Sequence, residues 1–85
     1  MEDEIDISNV KIDKLQFSVL VYYSRIAELS QESFYTFILD LTKIGVTFSE
    51  KILKKLPEIS RNKTERVKFI SEILIKLRKA IKNEN

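Results

Sequence analysis

The stretch Ile44–Glu50, IGVTFSE, decides how many helices this 85-residue chain forms. Gly45 comes directly after the apolar residue Ile44, and glycine commonly occupies the position just after the last residue of a helix. Two residues later, Thr47–Glu50 has the T-x-x-E spacing of a capping box, which starts a new helix. The second helix therefore either continues as one long rod with close packing at Gly45, or breaks into two helices over 31–44 and 48–56. We favour a kink or break.

Outside this stretch, apolar residues recur at alternating intervals of three and four, which indicates helices rather than strands. Ser30 is placed to cap the second helix, Pro57 to end that region, and residues 57–63 to form a loop. Asn62 or Thr64 caps the last helix. The sequence therefore predicts an all-α fold, a small antiparallel three-helix bundle that has four helices when the second breaks at the glycine.

The first helix, capped by Asp13 or Ser8, is apolar on more than one face. A helical wheel places most of its large apolar residues in one arc, which we predict to face the core, with Leu20 at the margin. Phe17 and Val21 fall outside this arc, on the polar side. The predicted core arc consists of Leu15, Val19, Tyr22, Tyr23, Ile26 and Leu29.

Apolar side chains beyond the needs of one small core indicate a binding surface. Phe17 and Val21 are four residues apart and touch on one face of the helix. A second apolar stripe runs along the second helix. We predict a partner-binding surface made of Phe17, Val21, Tyr35, Leu39 and Val46. Two alternatives remain open, in which the N-terminal segment covers the first pair and the third helix covers the second stripe.

The chain is short enough to be one domain. We predict an acidic, mobile N-terminal arm over residues 1–10, pinned to the body by Ile5 and Ile7, and a single helical bundle over residues 11–85. Residues 1–49 carry four basic and eight acidic side chains, a net charge of −4, whereas residues 50–85 carry eleven and five, a net charge of +6. This asymmetry indicates either an electrostatic partner surface or ordinary solvated helix faces.

The composition excludes much chemistry. The chain has no Cys and no His, so it lacks thiolate nucleophiles, disulfides and the commonest zinc ligands. Asp40, the acid within the apolar part of the second helix, falls on the polar side of the wheel. We expect no enzyme activity, no cofactor and no metal site. Without a signal peptide or an apolar run near the roughly 20 residues of a membrane span, a cytoplasmic protein with no membrane partner is expected.

The last helix carries a predicted basic face of a kind that suits phosphate groups. Its members are Lys68, Lys76, Arg78, Lys79 and Lys82. Glu65 and Glu72 interrupt this face, and no aromatic side chain interleaves it. Direct nucleic-acid binding through this helix is therefore the alternative to a function in protein interaction.

In size, helical pattern, richness in Ile, Lys and Glu, and its basic end KLRKAIKNEN (76–85), the chain resembles the small accessory subunits of archaeal B-family DNA polymerase holoenzymes. The resemblance is one of overall character across the chain. It implies a non-catalytic subunit that docks on a polymerase during DNA replication and modulates its stability or activity. The composition also fits a thermophilic source.

Together these observations predict a non-catalytic protein-interaction module, a small accessory subunit of a DNA polymerase holoenzyme or another nucleic-acid-processing complex. Its partner would be a larger protein, and nucleic acid would be contacted directly or through that partner. A homodimer, in which the same apolar stripe pairs two copies, is a separate alternative.

Overall fold

The computed structural model describes residues 4–81, which form four helices and a small two-stranded sheet. The all-α prediction is confirmed in outline, but the three-helix bundle is not, because the second predicted helix divides and a sheet is added. The elements in chain order are β1 (Ile5–Asp6), α1 (Lys14–Ala27), α2 (Gln31–Lys43), β2 (Thr47–Phe48), α3 (Glu50–Arg61) and α4 (Lys63–Ile81).

Gly45 makes the turn that separates α2 from α3. Its φ is +110°, a region that side chains disfavour, and a Cβ at this position would lie 2.8 Å from the backbone oxygen of Asn9. The predicted break near Gly45 is therefore confirmed. The glycine serves two purposes, since it reverses the chain and lets the N-terminal segment approach closely.

Side-chain caps define where the helices begin. The predicted caps Asp13, Ser30 and Asn62 are confirmed: the carboxylate of Asp13, the hydroxyl of Ser30 and the amide oxygen of Asn62 each accept a backbone N–H three residues later. The predicted capping box at Thr47 is wrong. Thr47 lies in β2, and the hydroxyl of Ser49 caps α3 instead.

The N-terminal segment packs against the helices. Ile5 pairs with Phe48 in the antiparallel sheet and is buried, and Ile7 packs against the core, so the predicted pinning by these two isoleucines is confirmed. The Nζ of Lys51 lies 3.3 Å from a carboxylate oxygen of Glu4. Residues 1–3 of the predicted arm lie outside the described residues.

Pro57 lies inside α3, so the predicted loop over residues 57–63 is wrong. A proline in a helix removes one backbone donor and crowds the preceding turn, which is unfavourable. Helix α3 continues through it because the next turn is anchored: Ile59 packs against the core and Ser60 is buried. The connection to α4 is reduced to Asn62.

Three phenylalanines, one each from α2, β2 and α4, form an aromatic cluster within the core. The ring of Phe69 lies 6.0 Å, centroid to centroid, from the rings of both Phe34 and Phe48. The other buried apolar residues surround them: Ile5, Ile12, Leu20, Ala27, Phe37, Ile38, Leu41, Val46, Ile52, Leu56, Ile70, Ile73, Leu77 and Ile81.

Replacing Gly45 with alanine should destabilise the fold by about 1–3 kcal/mol, because the new Cβ meets the Asn9 backbone and φ is unfavourable for a side chain. Urea denaturation followed by circular dichroism measures this change. Lys43→Ala, at an exposed position in the same region, is the matched control and should change the free energy of unfolding by less than about 0.5 kcal/mol. Equal effects of the two substitutions would contradict this explanation of the turn.

Candidate protein-interaction face

Helix α1 buries the opposite side from the one that its apolar pattern predicts. Leu20, Ser24 and Ala27 are its buried residues, and they pack toward α2 and α4. Ser24 and Tyr22 are two residues apart, which places them about 160° apart around the helix. The prediction that the arc from Leu15 to Leu29 faces the core is therefore wrong.

Small side chains and hydrogen bonds explain this orientation. Ala27 is fully buried and Ser24 nearly so, and side chains of this size let a helix approach its neighbours closely. The hydroxyl of Ser24 donates to the backbone oxygen of Val21 at 2.6 Å, so its burial leaves no unpaired polar group. The stripe Phe17, Leu20, Ser24, Ala27 also has helical spacing, but its lower hydrophobicity conceals it in the sequence.

Arg66 holds the end of α1 in place. Its Nη2 and Nε donate to the backbone oxygen of Glu28 at 3.0 and 3.3 Å, and its Nη1 donates to the backbone oxygen of Ser60. Glu28 is the C-cap of α1, and Ser60 lies in the last turn of α3. One buried guanidinium therefore satisfies carbonyl groups at the ends of two helices while belonging to a third.

The sequence contains a signal for this role that the charge pattern obscured. Arg66 continues the buried stripe of α4 through Ile70, Ile73 and Leu77, so it occupies a core position. Arg66 is consequently not part of the basic surface of α4, because the side chain is buried and its three nitrogens each donate to a carbonyl group within the fold.

The orientation of α1 leaves a large apolar surface in water, which we term the outer stripe. Its residues are Leu15 (74% exposed), Val19 (45%), Tyr22 (65%), Tyr23 (47%), Ile26 (39%) and Leu29 (69%). The rings of Tyr22 and Tyr23 contact edge to face at the middle of this stripe, with centroids 5.6 Å apart. Contiguous exposed apolar surface rich in aromatic residues is typical of a protein interface.

The structure does not bring the predicted partner-binding residues together as one exposed surface. Val46 is buried in the core, Phe17 is half-buried against it, and Val21 is half-buried. Only Tyr35 and Leu39 are exposed, on α2. The physical reason is the orientation of α1, which turns Phe17 inward and the outer stripe outward.

A groove between α1 and α2 borders the outer stripe and carries opposite charges at its two ends. Lys43 lines it beside Leu15, and Glu32 lines it beside Ile26. Asp40 lies between them, half-buried rather than on a solvated face as the wheel suggests. The side chains at the two ends of the groove therefore carry charges of opposite sign, so this face is electrostatically asymmetric along α1.

Three of the four described bases of the predicted basic face share one side of α4. Lys68, Lys76 and Lys79 fall within about 80° of one another around the helix, whereas Arg78 lies about 160° from Lys76. Lys68, Arg78 and Lys79 are exposed and Lys76 is half-buried. Lys82 lies outside the described residues. Among the bases predicted for α4, Lys68 and Lys79 share a direction most closely, about 20° apart.

The described part of the chain offers few features of other kinds of site. Among residues 4–81, no group of three or more acidic side chains is placed to hold a metal ion. No described helix has the length and apolar content to cross a membrane. Comparison with protein-family models, with curated proteins and with solved structures gave no match to this chain. The features on which a functional proposal can rest are therefore a four-helix fold and its outer stripe.

Arg66→Met should lower the free energy of unfolding by about 2–4 kcal/mol, because it leaves the buried carbonyl group of Ser60 and the part-buried carbonyl group of Glu28 without the guanidinium donors. Lys68→Met, two residues away and exposed, is the matched control and should cost less than about 0.5 kcal/mol. Chemical denaturation of both variants measures the difference, and similar stabilities would show that the guanidinium does not hold these helix ends.

Proposed function

We propose that this chain is a non-catalytic protein-interaction module, a small accessory subunit that acts by contacting another protein chain through the outer stripe. The observation that carries the proposal is the exposure of six large apolar side chains along α1 and the turn that follows it, at 39–74% of their surface. Such a surface is unfavourable in water unless a partner covers it.

The arrangement of the outer stripe supports a specific contact rather than scattered exposure. Tyr22 and Tyr23 lie at its centre, flanked by aliphatic residues on both sides. Binding energy at protein interfaces concentrates in central aromatic residues surrounded by less important contacts. Helix α1 is anchored by a cap at Asp13 and by Arg66 at its other end, so the stripe is held in a fixed conformation before binding.

The setting in a DNA polymerase holoenzyme or a related complex stays a prediction that rests on the resemblance of the sequence. A basic α3–α4 half is compatible with such a setting, because exposed positive charge steers association with acidic surfaces.

Tyr22→Glu should abolish co-purification of the native partner, because it places a charge at the centre of the contact while the side chain is already exposed in the free fold. Ile75→Glu, at a similarly exposed apolar position on α4, is the matched control and should leave co-purification unchanged. Affinity purification from the native host, with mass spectrometry of the co-purifying chains, is the measurement.

Leu39→Glu belongs in the same series, because Leu39 is the most exposed member of the surface predicted from sequence. Loss of the partner with Leu39→Glu but not with Tyr22→Glu would refute the outer stripe as the contact. Circular dichroism of each variant establishes that the helices are intact.

Direct nucleic-acid binding is the second candidate, favoured by the shared direction of Lys68 and Lys79. In that case the wild-type chain binds duplex DNA of any sequence at low salt. The slope of log affinity against log salt concentration should become shallower by about 2 in the double variant Lys68→Glu/Lys79→Glu. The neighbouring Glu65 and Glu72 oppose such binding. No detectable binding by the wild-type chain at low salt would remove this candidate.

A further inference from the structure

We propose that the outer stripe pairs with the outer stripe of a second copy of this chain, antiparallel, about a two-fold axis near Tyr22. This inference rests on the proposed function, since it names the partner of the same face. A two-fold interface uses one patch on both copies, so the patch must be complementary to itself. Spacing, charge and area each satisfy this condition.

The spacing of the outer stripe is that of a helix–helix seam. Leu15, Val19, Tyr22 and Ile26 follow one another within α1 at intervals of four, three and four, the repeat by which two helices interlock along their length. Leu29 follows three residues later, in the turn after α1. Tyr22 is the midpoint of this series. Antiparallel pairing therefore sets Leu15 of one copy opposite Leu29 of the second, and Val19 opposite Ile26, with the two tyrosines together at the axis.

The charges beside the stripe select the antiparallel orientation. Lys43 lies at the Leu15 end of the groove between α1 and α2, and Glu32 lies at the Ile26 end. Antiparallel pairing brings Lys43 of each copy to Glu32 of the other, which forms two symmetric pairs of opposite charge. A parallel two-fold arrangement would turn this edge of each copy toward the opposite edge of the other, so Lys43 and Glu32 would not meet. Asp40, half-buried between the two ends of the groove, is the remaining charged group on this edge.

The other edge of the stripe presents no repulsion in this arrangement. Arg25 is the exposed base on this edge near the C-terminal end of α1. The antiparallel register places Arg25 opposite the uncharged Ser18 of the second copy. Lys14 lies at the far end, opposite the turn that follows α1. No pair of like charges meets across the two-fold axis on this edge.

The exposed area is sufficient for a reversible dimer. Two tyrosines and four aliphatic side chains at the observed exposures offer roughly 600–700 Å² per copy, close to the ~800 Å² that each partner buries in a standard interface. An interface below the standard size is typical of weak, reversible association, and we expect a dissociation constant in the micromolar range. Small domains without disulfides commonly gain stability by such association.

The first test is the mass of the purified wild-type chain as a function of concentration, by sedimentation or light scattering. The mass should rise from that of one chain toward that of two between about 1 and 200 µM. Tyr22→Glu should weaken association at least about 30-fold, because two new carboxylates meet at the axis. Ile75→Glu, away from the stripe, should associate like the wild type.

A charge exchange tests the orientation. Lys43→Glu alone and Glu32→Lys alone should each raise the dissociation constant about tenfold at low salt, because each turns both symmetric pairs into repulsive ones. The double variant restores opposite charges with their positions reversed, so its affinity should return to within about threefold of the wild type. Unfolding of dilute samples separates these effects from changes in the stability of α2.

Three outcomes would overturn the inference: a wild-type chain that stays monomeric at about 200 µM, association that Tyr22→Glu leaves unchanged, or a double variant as weak as the single ones. A monomeric chain whose Tyr22→Glu variant still loses a native partner overturns the homodimer and leaves the protein-interaction function standing. If co-purification is also unaffected by Tyr22→Glu, the function proposed for the stripe fails as well.

Discussion

The buried guanidinium of Arg66 is the interaction on which the arrangement of the helices depends. It donates to carbonyl groups at the ends of α1 and α3 from a position within α4, so the α1–α2 and α3–α4 connections meet at one side chain. The hydroxyl of Ser60 also donates to the backbone oxygen of Pro57, which completes the polar groups at this joint. Burying a charged group is costly unless its donors are paired, and here every element that Arg66 joins supplies an acceptor. The position of α1 follows from this joint.

Once its C-terminal end is fixed there, α1 can pack closely only through small side chains. Ser24 and Ala27 supply them, and Leu20 adds the apolar contact at mid-helix. The geometry leaves the more hydrophobic side of α1 in water. Because the fold exposes the more hydrophobic side of α1 while burying a serine and an alanine, the functional proposal rests on the outer stripe rather than on the surface predicted from sequence.

Features determined by local chemistry could be predicted from the sequence. Asp13, Ser30 and Asn62 cap helices because their side chains reach backbone donors three residues on, and Gly45 breaks the second helix because it adopts a conformation that other residues avoid. Features determined by packing could not. The orientation of α1 depends on which side fits its neighbours, and hydrophobicity alone ranks the two sides in the wrong order. Pro57 ends a helix by local rules, but the burial of Ser60 and the packing of Ile59 carry α3 through it. Arg66 looks like one surface base among many unless its place in the buried stripe of α4 is noticed.

The orientation of α1 is the central claim, and the labelling rate of an introduced thiol tests it most directly, because the chain contains no cysteine of its own. Ser24→Cys is nearly isosteric and lies at a buried position, whereas Tyr22→Cys lies on the outer stripe. At concentrations low enough to keep the chain monomeric, the thiol at position 22 should react with a disulfide reagent at least about 100-fold faster than the thiol at position 24, because the latter reacts only when the helix opens. Faster labelling at position 24 than at position 22 would contradict the account and restore the core arc predicted from hydrophobicity.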